Sequence, residues 1–99
     1  MSLTDDTTLL VAAQNGDVNR ARRLLQIGAD VNARSFPDGW TALQLATKNN
    51  HADMVTLLLE NGAEHTATHG PHHIPAPMNF AVQAGNVELI QLMMAHGVS

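Results

Sequence analysis

The sequence predicts an all-α solenoid, in which helix-turn-helix units stack side by side and are joined by β-hairpin-like loops. Three observations carry that prediction. Gly28, Gly62 and Gly97 lie 34 and 35 residues apart, and Ala12, Ala46 and Ala81 keep the same spacing. Self-similarity at a period of roughly 20–50 residues marks an array of stacked units. Apolar residues make up 44% of the 99 residues but aromatics only 3%, so the core must be built from Leu, Ala, Val, Ile and Met, which suit packed helices better than strands. Finally, apolar positions fall at helical spacing, as in Leu43, Leu45 and Ala46, or Met54, Val55, Leu57, Leu58 and Leu59. One domain over residues 1–99 is expected, with units at approximately 6–33, 39–65 and 74–99.

In the first unit, Asp6 and Thr7 are placed to cap the opening helix by accepting a bond from an orphan N–H, and Gly16 stops it. A second helix follows over 18–25 and closes at Gly28. In the second unit Thr41 is the cap, Asn50 fills the slot of Gly16, and Gly62 closes the pair. In the third, Pro77 stands at the start of a helix, where its missing N–H costs nothing, and Gly85 and Gly97 act as the two stops. Glycine and asparagine both tolerate the left-handed conformation that such a stop requires. Asp17, Asp53 and Glu88 are read as equivalent acids near the starts of the second helices, favourable to the helix dipole. One such unit cannot bury its own apolar face, so the units must stack.

These residues resemble the ankyrin repeat, whose signature is T-P-L-H-x-A within a turn and two helices. Thr41-Ala42-Leu43-Gln44-Leu45-Ala46 follows it with Ala for Pro and Gln for His, and Ala76-Pro77-Met78-Asn79-Phe80-Ala81 keeps the proline and the final alanine. Gly28-Ala29-Asp30-Val31-Asn32-Ala33 is similar to the family's inter-repeat segment, and the likeness extends over about residues 4–99. Both spacings exceed the family period, so extra residues fall in the connecting loops, or fingers. Finger one, residues 32–40, contains Asp38-Gly39, a good tight-turn pair. Finger two, residues 65–75, has His73-Ile74 in that slot and two prolines, and is expected to be longer and irregular.

The resemblance implies a protein-binding module that recognises a partner through finger tips and the exposed side of the first helices. By position these are Arg34, Ser35, Phe36, Pro37, Asp38 and Trp40 on finger one, with Lys48 and Asn49 on the helix behind it. The equivalents are Asp6, Gln14 and Asn15 in the first unit and His72, His73, Pro75, Gln83 and Ala84 in the third. The partner-binding set is therefore Arg34, Phe36, Asp38, Trp40, Lys48, Asn49, His72, His73 and Gln83. Trp40 leads it, because aromatic and arginine anchors dominate interface energies. The alternative for Trp40 and Phe36 is local packing over the hairpin.

Other functions find less support. There is no Cys, no Tyr and no Gly-rich phosphate loop, and Ser2, Ser35 and Ser99 lack a His–acid pair at recognisable spacing, so no catalytic activity and no cofactor are expected. A net charge of −4 without a basic run argues against nucleic acid, and no apolar run approaches the ~20 residues that span a bilayer. An intracellular, cytoplasmic location is expected. His65, His69, His72 and His73 fall in one loop and read as either a solvated loop or a weak metal site, since structural zinc needs four fixed ligands. Arg20 and Arg23 share one helix face while Arg22 points elsewhere, and the group reads as a solvated surface or an acidic-partner patch. The last helix, residues 87–96, is as apolar as the internal one, whereas a terminal unit normally shows a polar outer face. Three readings follow: further repeats in a longer parent chain, self-association or partner packing through the third repeat, or a monomer that tolerates an apolar end.

Overall fold

The computed structural model of the chain describes residues 2–35, 38–65 and 75–98, with residues 2–7 described by their backbone alone. Among them are six helices in three pairs: α1 (Ser2–Asn15), α2 (Val18–Gln26), α3 (Ala42–Lys48), α4 (Ala52–Glu60), α5 (Pro77–Ala84) and α6 (Val87–Ala95). The first helices α1, α3 and α5 pack in one row and α2, α4 and α6 in a second. The two rows share an aliphatic core whose largest fully buried members include Leu9, Leu43, Met54, Leu58, Leu89 and Met93. Ala12, Ala46 and Ala81 are all buried, so a larger side chain at any of them would have to displace packed neighbours.

Each helix end repeats the same solution. After α1, α3 and α5 the chain turns through Gly16, Asn50 and Gly85 at φ 75°, 60° and 66°, and Asn50 is the one non-glycine residue with positive φ among those described. The next N–H then reaches back to a buried alanine carbonyl: Asp17 to Ala12 at 2.9 Å, His51 to Ala46 at 2.9 Å, Asn86 to Ala81 at 3.2 Å. These bonds satisfy carbonyls that the helix itself leaves without a partner. Second helices close alike, with Ala29, Ala63 and Val98 donating to Leu24, Leu58 and Met93, each at 3.0 Å.

Two expectations about helix starts need correction. Asp6 and Thr7 do not begin α1: the helix runs back to Ser2, since no glycine or proline interrupts residues 2–15. Asp17, Asp53 and Glu88 are not equivalent either. Asp17 is the N-cap of α2 and accepts from the Arg20 N–H at 3.3 Å, whereas Asp53 and Glu88 lie inside the first turns of α4 and α6. The true counterparts of Asp17 are His51 and Asn86, the N-caps of α4 and α6. Thr41 caps α3 as expected, and Pro77 opens α5.

The units are tied by side chains as well as by packing. His51 Nε2 lies 2.9 Å from the Gln14 carbonyl, and the ring sits against Gly16. Asn32 Oδ1 accepts from the Glu64 N–H at 2.8 Å, Asn86 Nδ2 donates to Asn50 Oδ1 at 3.2 Å, and Gln44 Nε2 donates to the Pro75 carbonyl at 3.1 Å. Buried Gln44 also completes a capping box, its Oε1 accepting from the Thr41 N–H at 2.9 Å while its own N–H donates to Thr41 Oγ1 at 3.2 Å. Among the described residues no buried side-chain polar atom lacks a partner.

Candidate functional site

Finger one is held by its own backbone. Arg34 pairs with Thr41 in a single antiparallel bridge, the only hairpin ladder among the described residues. Within it, the Ser35 N–H donates to the Trp40 carbonyl at 2.8 Å and Ser35 Oγ accepts from the Trp40 N–H at 2.9 Å. The Gly39 N–H donates to the Ser35 carbonyl at 2.8 Å, closing the turn. Ser35 thereby clamps both backbone groups of Trp40, and the tryptophan leaves the finger at a fixed point just before α3.

From that point the indole crosses to the next unit. Its ring centroid lies 5.5 Å from that of Phe80 on α5, with the planes tilted by 30°, and Lys48 Nζ stands 4.9 Å above it. Trp40 and Phe80 are both half-buried, while Lys48 is exposed. An ammonium over an indole face is attracted by the ring quadrupole, worth ~0.5–1 kcal/mol at an exposed site. The result is a platform with an apolar floor and a cationic edge at the junction of the second and third units.

A wider pattern surrounds it. Val11, Leu45 and Phe80 occupy the same register in α1, α3 and α5, and none of the three is buried. One turn further along the same helices stand Gln14, Lys48 and Gln83, all exposed. An apolar stripe bordered by a polar one thus runs across the first helices beside finger one. Trp40 and Lys48 were visible as single residues in the sequence. The stripe of Val11, Leu45 and Phe80 was not, although aligning the copies at their period of 34 and 35 would have shown it.

The remaining candidates scatter. Arg34 and Asp38 are exposed on the finger, and Asn49 is exposed but spends its Nδ2 on the Leu45 carbonyl at 2.8 Å, closing α3. Phe36 and Pro37 lie outside the described residues, as do His69, His72 and His73 and most of finger two, so its expected irregularity falls there too. His65 is half-buried at the entry to that segment. Among the described residues no three His, Cys, Asp or Glu side chains gather closely enough to hold a metal. Arg20 and Arg23 line a shallow groove of about 360 Å³ with Leu24, Gln26 and Ile27. Arg22 donates to Asn19 Oδ1 at 3.4 Å and lines a different depression, with Asp53, Thr56 and Glu60. No described helix is long and apolar enough to cross a membrane.

The sequence is similar to parts of known proteins. The chain is 47% identical over 60 residues to a 2-5A-dependent ribonuclease of Mus musculus, covering 61% of this chain and 8% of that protein. The Homo sapiens 2-5A-dependent ribonuclease is 35% identical over 88 residues, covering 89% of this chain and 12% of its own length. Ankyrin repeat domain-containing protein 40 of Mus musculus is 42% identical over 53 residues, covering 54% and 15%. The chain therefore spans only 8–15% of the length of these relatives. A family model described as ankyrin repeats in three copies matches residues 1–69. By that match, and by the helix pairs and turns described above, the chain belongs to the ankyrin-repeat family.

Proposed function

We propose that this chain binds a partner protein through finger one and the exposed side of its first helices, in an adaptor or regulatory role inside the cell. Ankyrin repeats are generally protein–protein interaction modules, and the fold is non-catalytic. The observation that carries the more specific reading is the clamped Trp40, set against Phe80 and beneath Lys48. A pre-positioned aromatic with an adjacent cation loses little conformational freedom on binding, which is how anchor residues concentrate interface energy. The stripe of Val11, Leu45 and Phe80 lengthens that surface across the units, while Arg34, Asp38 and Gln83 supply a polar rim. The names of the ribonuclease relatives describe proteins of which the matched segment is a small part, and that activity is not carried over.

The test is an unbiased pulldown with the wild-type chain and with Trp40→Ala, followed by calorimetry on the recovered partner. Removing the anchor should weaken binding by ~2 kcal/mol or more, about thirtyfold, with the helical content retained. Equal affinity for the two chains would place recognition elsewhere.

A further inference from the structure

Two asparagines of the chain are followed by glycine, in Asn15-Gly16 and Asn61-Gly62, and both stand at helix ends. An asparagine side chain is at its most labile in this setting, because glycine has no Cβ to hinder its backbone nitrogen as that nitrogen approaches Cγ. The fold treats the two sites differently. Asn61 follows α4, and its Nδ2 donates to the Leu57 carbonyl at 2.8 Å. The Gly62 N–H donates to the Leu59 carbonyl at 3.1 Å. The carboxamide is thus turned back onto the helix, and the nitrogen that would attack it is held in a turn. Asn49, in the same register as Asn15, is tied alike through Leu45 and is followed by Asn50 instead of glycine. Asn15 is the last residue of α1 and is exposed, and its side chain makes no hydrogen bond to another described residue.

We infer that Asn15 is a site of spontaneous deamidation, which the fold leaves open while it protects Asn61. The Gly16 nitrogen bonds to Asn15 Cγ, the Cγ–Nδ2 bond breaks, and ammonia leaves with the proton that the Gly16 nitrogen gives up. The product is a five-membered succinimide. Water, the sole co-reactant, then opens the ring at either carbonyl. One opening gives aspartate at position 15, and the other gives isoaspartate, whose side-chain carbon has become part of the backbone. The consequences fall on the junction between the first and second units. Either product adds one negative charge to a chain of formal charge −4 and sets it at the negative C-terminal end of α1. Isoaspartate in addition lengthens the backbone by one carbon in the turn that carries the Asp17 N–H to the Ala12 carbonyl and presents the Gln14 carbonyl to His51. The change loosens α1 and α2 against the second unit and leaves the Trp40 platform, at the other junction, as it was.

The test incubates the whole 99-residue chain in mildly alkaline buffer, both folded and in guanidinium chloride, and follows conversion at each asparagine by fragmentation mass spectrometry. In the folded chain Asn15 should convert at least about fivefold faster than Asn61, the factor that one net hydrogen bond supplies. In denaturant the two rates should come together, because both asparagines precede glycine and the ties at Asn61 are gone. The converted chain, separated by its extra charge, should lose amide protection first in α1 and α2. Asn15→Gln incubated alike should keep that protection, since its longer side chain closes a ring far more slowly. Conversion of Asn61 as fast as Asn15 in the folded chain would overturn the inference. So would an advantage of Asn15 that persists in denaturant, since sequence and not fold would then set it.

Discussion

The junction between the first and second units and the junction between the second and third use the same helix packing but different fastenings. The first is fastened at its turn end: the His51 imidazole lies on Gly16 and reaches the Gln14 carbonyl, and Asn32 ties the loops at the other end. The second has a turn-end tie as well, from Asn86 to Asn50, but it is fastened in addition at the finger end, by buried Gln44 reaching Pro75 and by Trp40 against Phe80. Stability at the first junction is thus separable from the candidate recognition surface, whereas at the second the two share residues. A module can bind through a junction of the second kind only if its anchor is already held there, which the Ser35 clamp achieves.

Substitutions can break this contrast in a graded way. The largest effect is expected from Gln44→Ala, which leaves the Thr41 N–H and the Pro75 carbonyl without their partners and opens a cavity in a fully packed site. Denaturant unfolding should show a loss of about 3 kcal/mol, and hydrogen exchange should show α5 and α6 loosening before α1 and α2. Gly16→Ala comes next. A Cβ there would stand 2.8 Å from His51 Nδ1 on a backbone at φ 75°, so about 2 kcal/mol should be lost, with protection falling first in α1 and α2. If both variants loosened the same units, the two junctions would not be distinct. The smallest effect belongs to Lys48→Met, which removes the cation from the exposed edge of the platform: stability should change by less than about 0.5 kcal/mol, while partner affinity and its salt dependence fall.

Much of the architecture was readable from spacing alone. The stops at Gly16, Asn50 and Gly85, the cap at Thr41 and the opening proline at Pro77 each have a local chemical reason, so local sequence sufficed. The start of α1 did not, because nothing in residues 2–7 breaks the chain and marks a boundary short of Ser2. The acids were misaligned because Asp17 and Asp53 both favour a helix start, although the spacing of 34 and 35 sets Asp17 opposite His51 and Asn86, and the hydrogen bond from the Arg20 N–H marks it as the cap. At the site, Trp40 and Lys48 stood out by type. Their relation to Phe80 did not, since it joins residues of different units and depends on how far α5 approaches finger one. Gln44 was read only as a substitute for the histidine of the family motif, and its bond to Pro75 spans 31 residues.

The placement of the single tryptophan has an optical consequence. Intrinsic indole fluorescence from this chain comes from one ring, and that ring sits on the seam between the second and third units. Its emission therefore follows separation of the third unit, while far-ultraviolet dichroism follows all six helices. In a chain whose contacts run only between neighbours, terminal units fray first. An emission change that precedes the loss of ellipticity would measure the free energy of undocking that last unit by itself, without any added label.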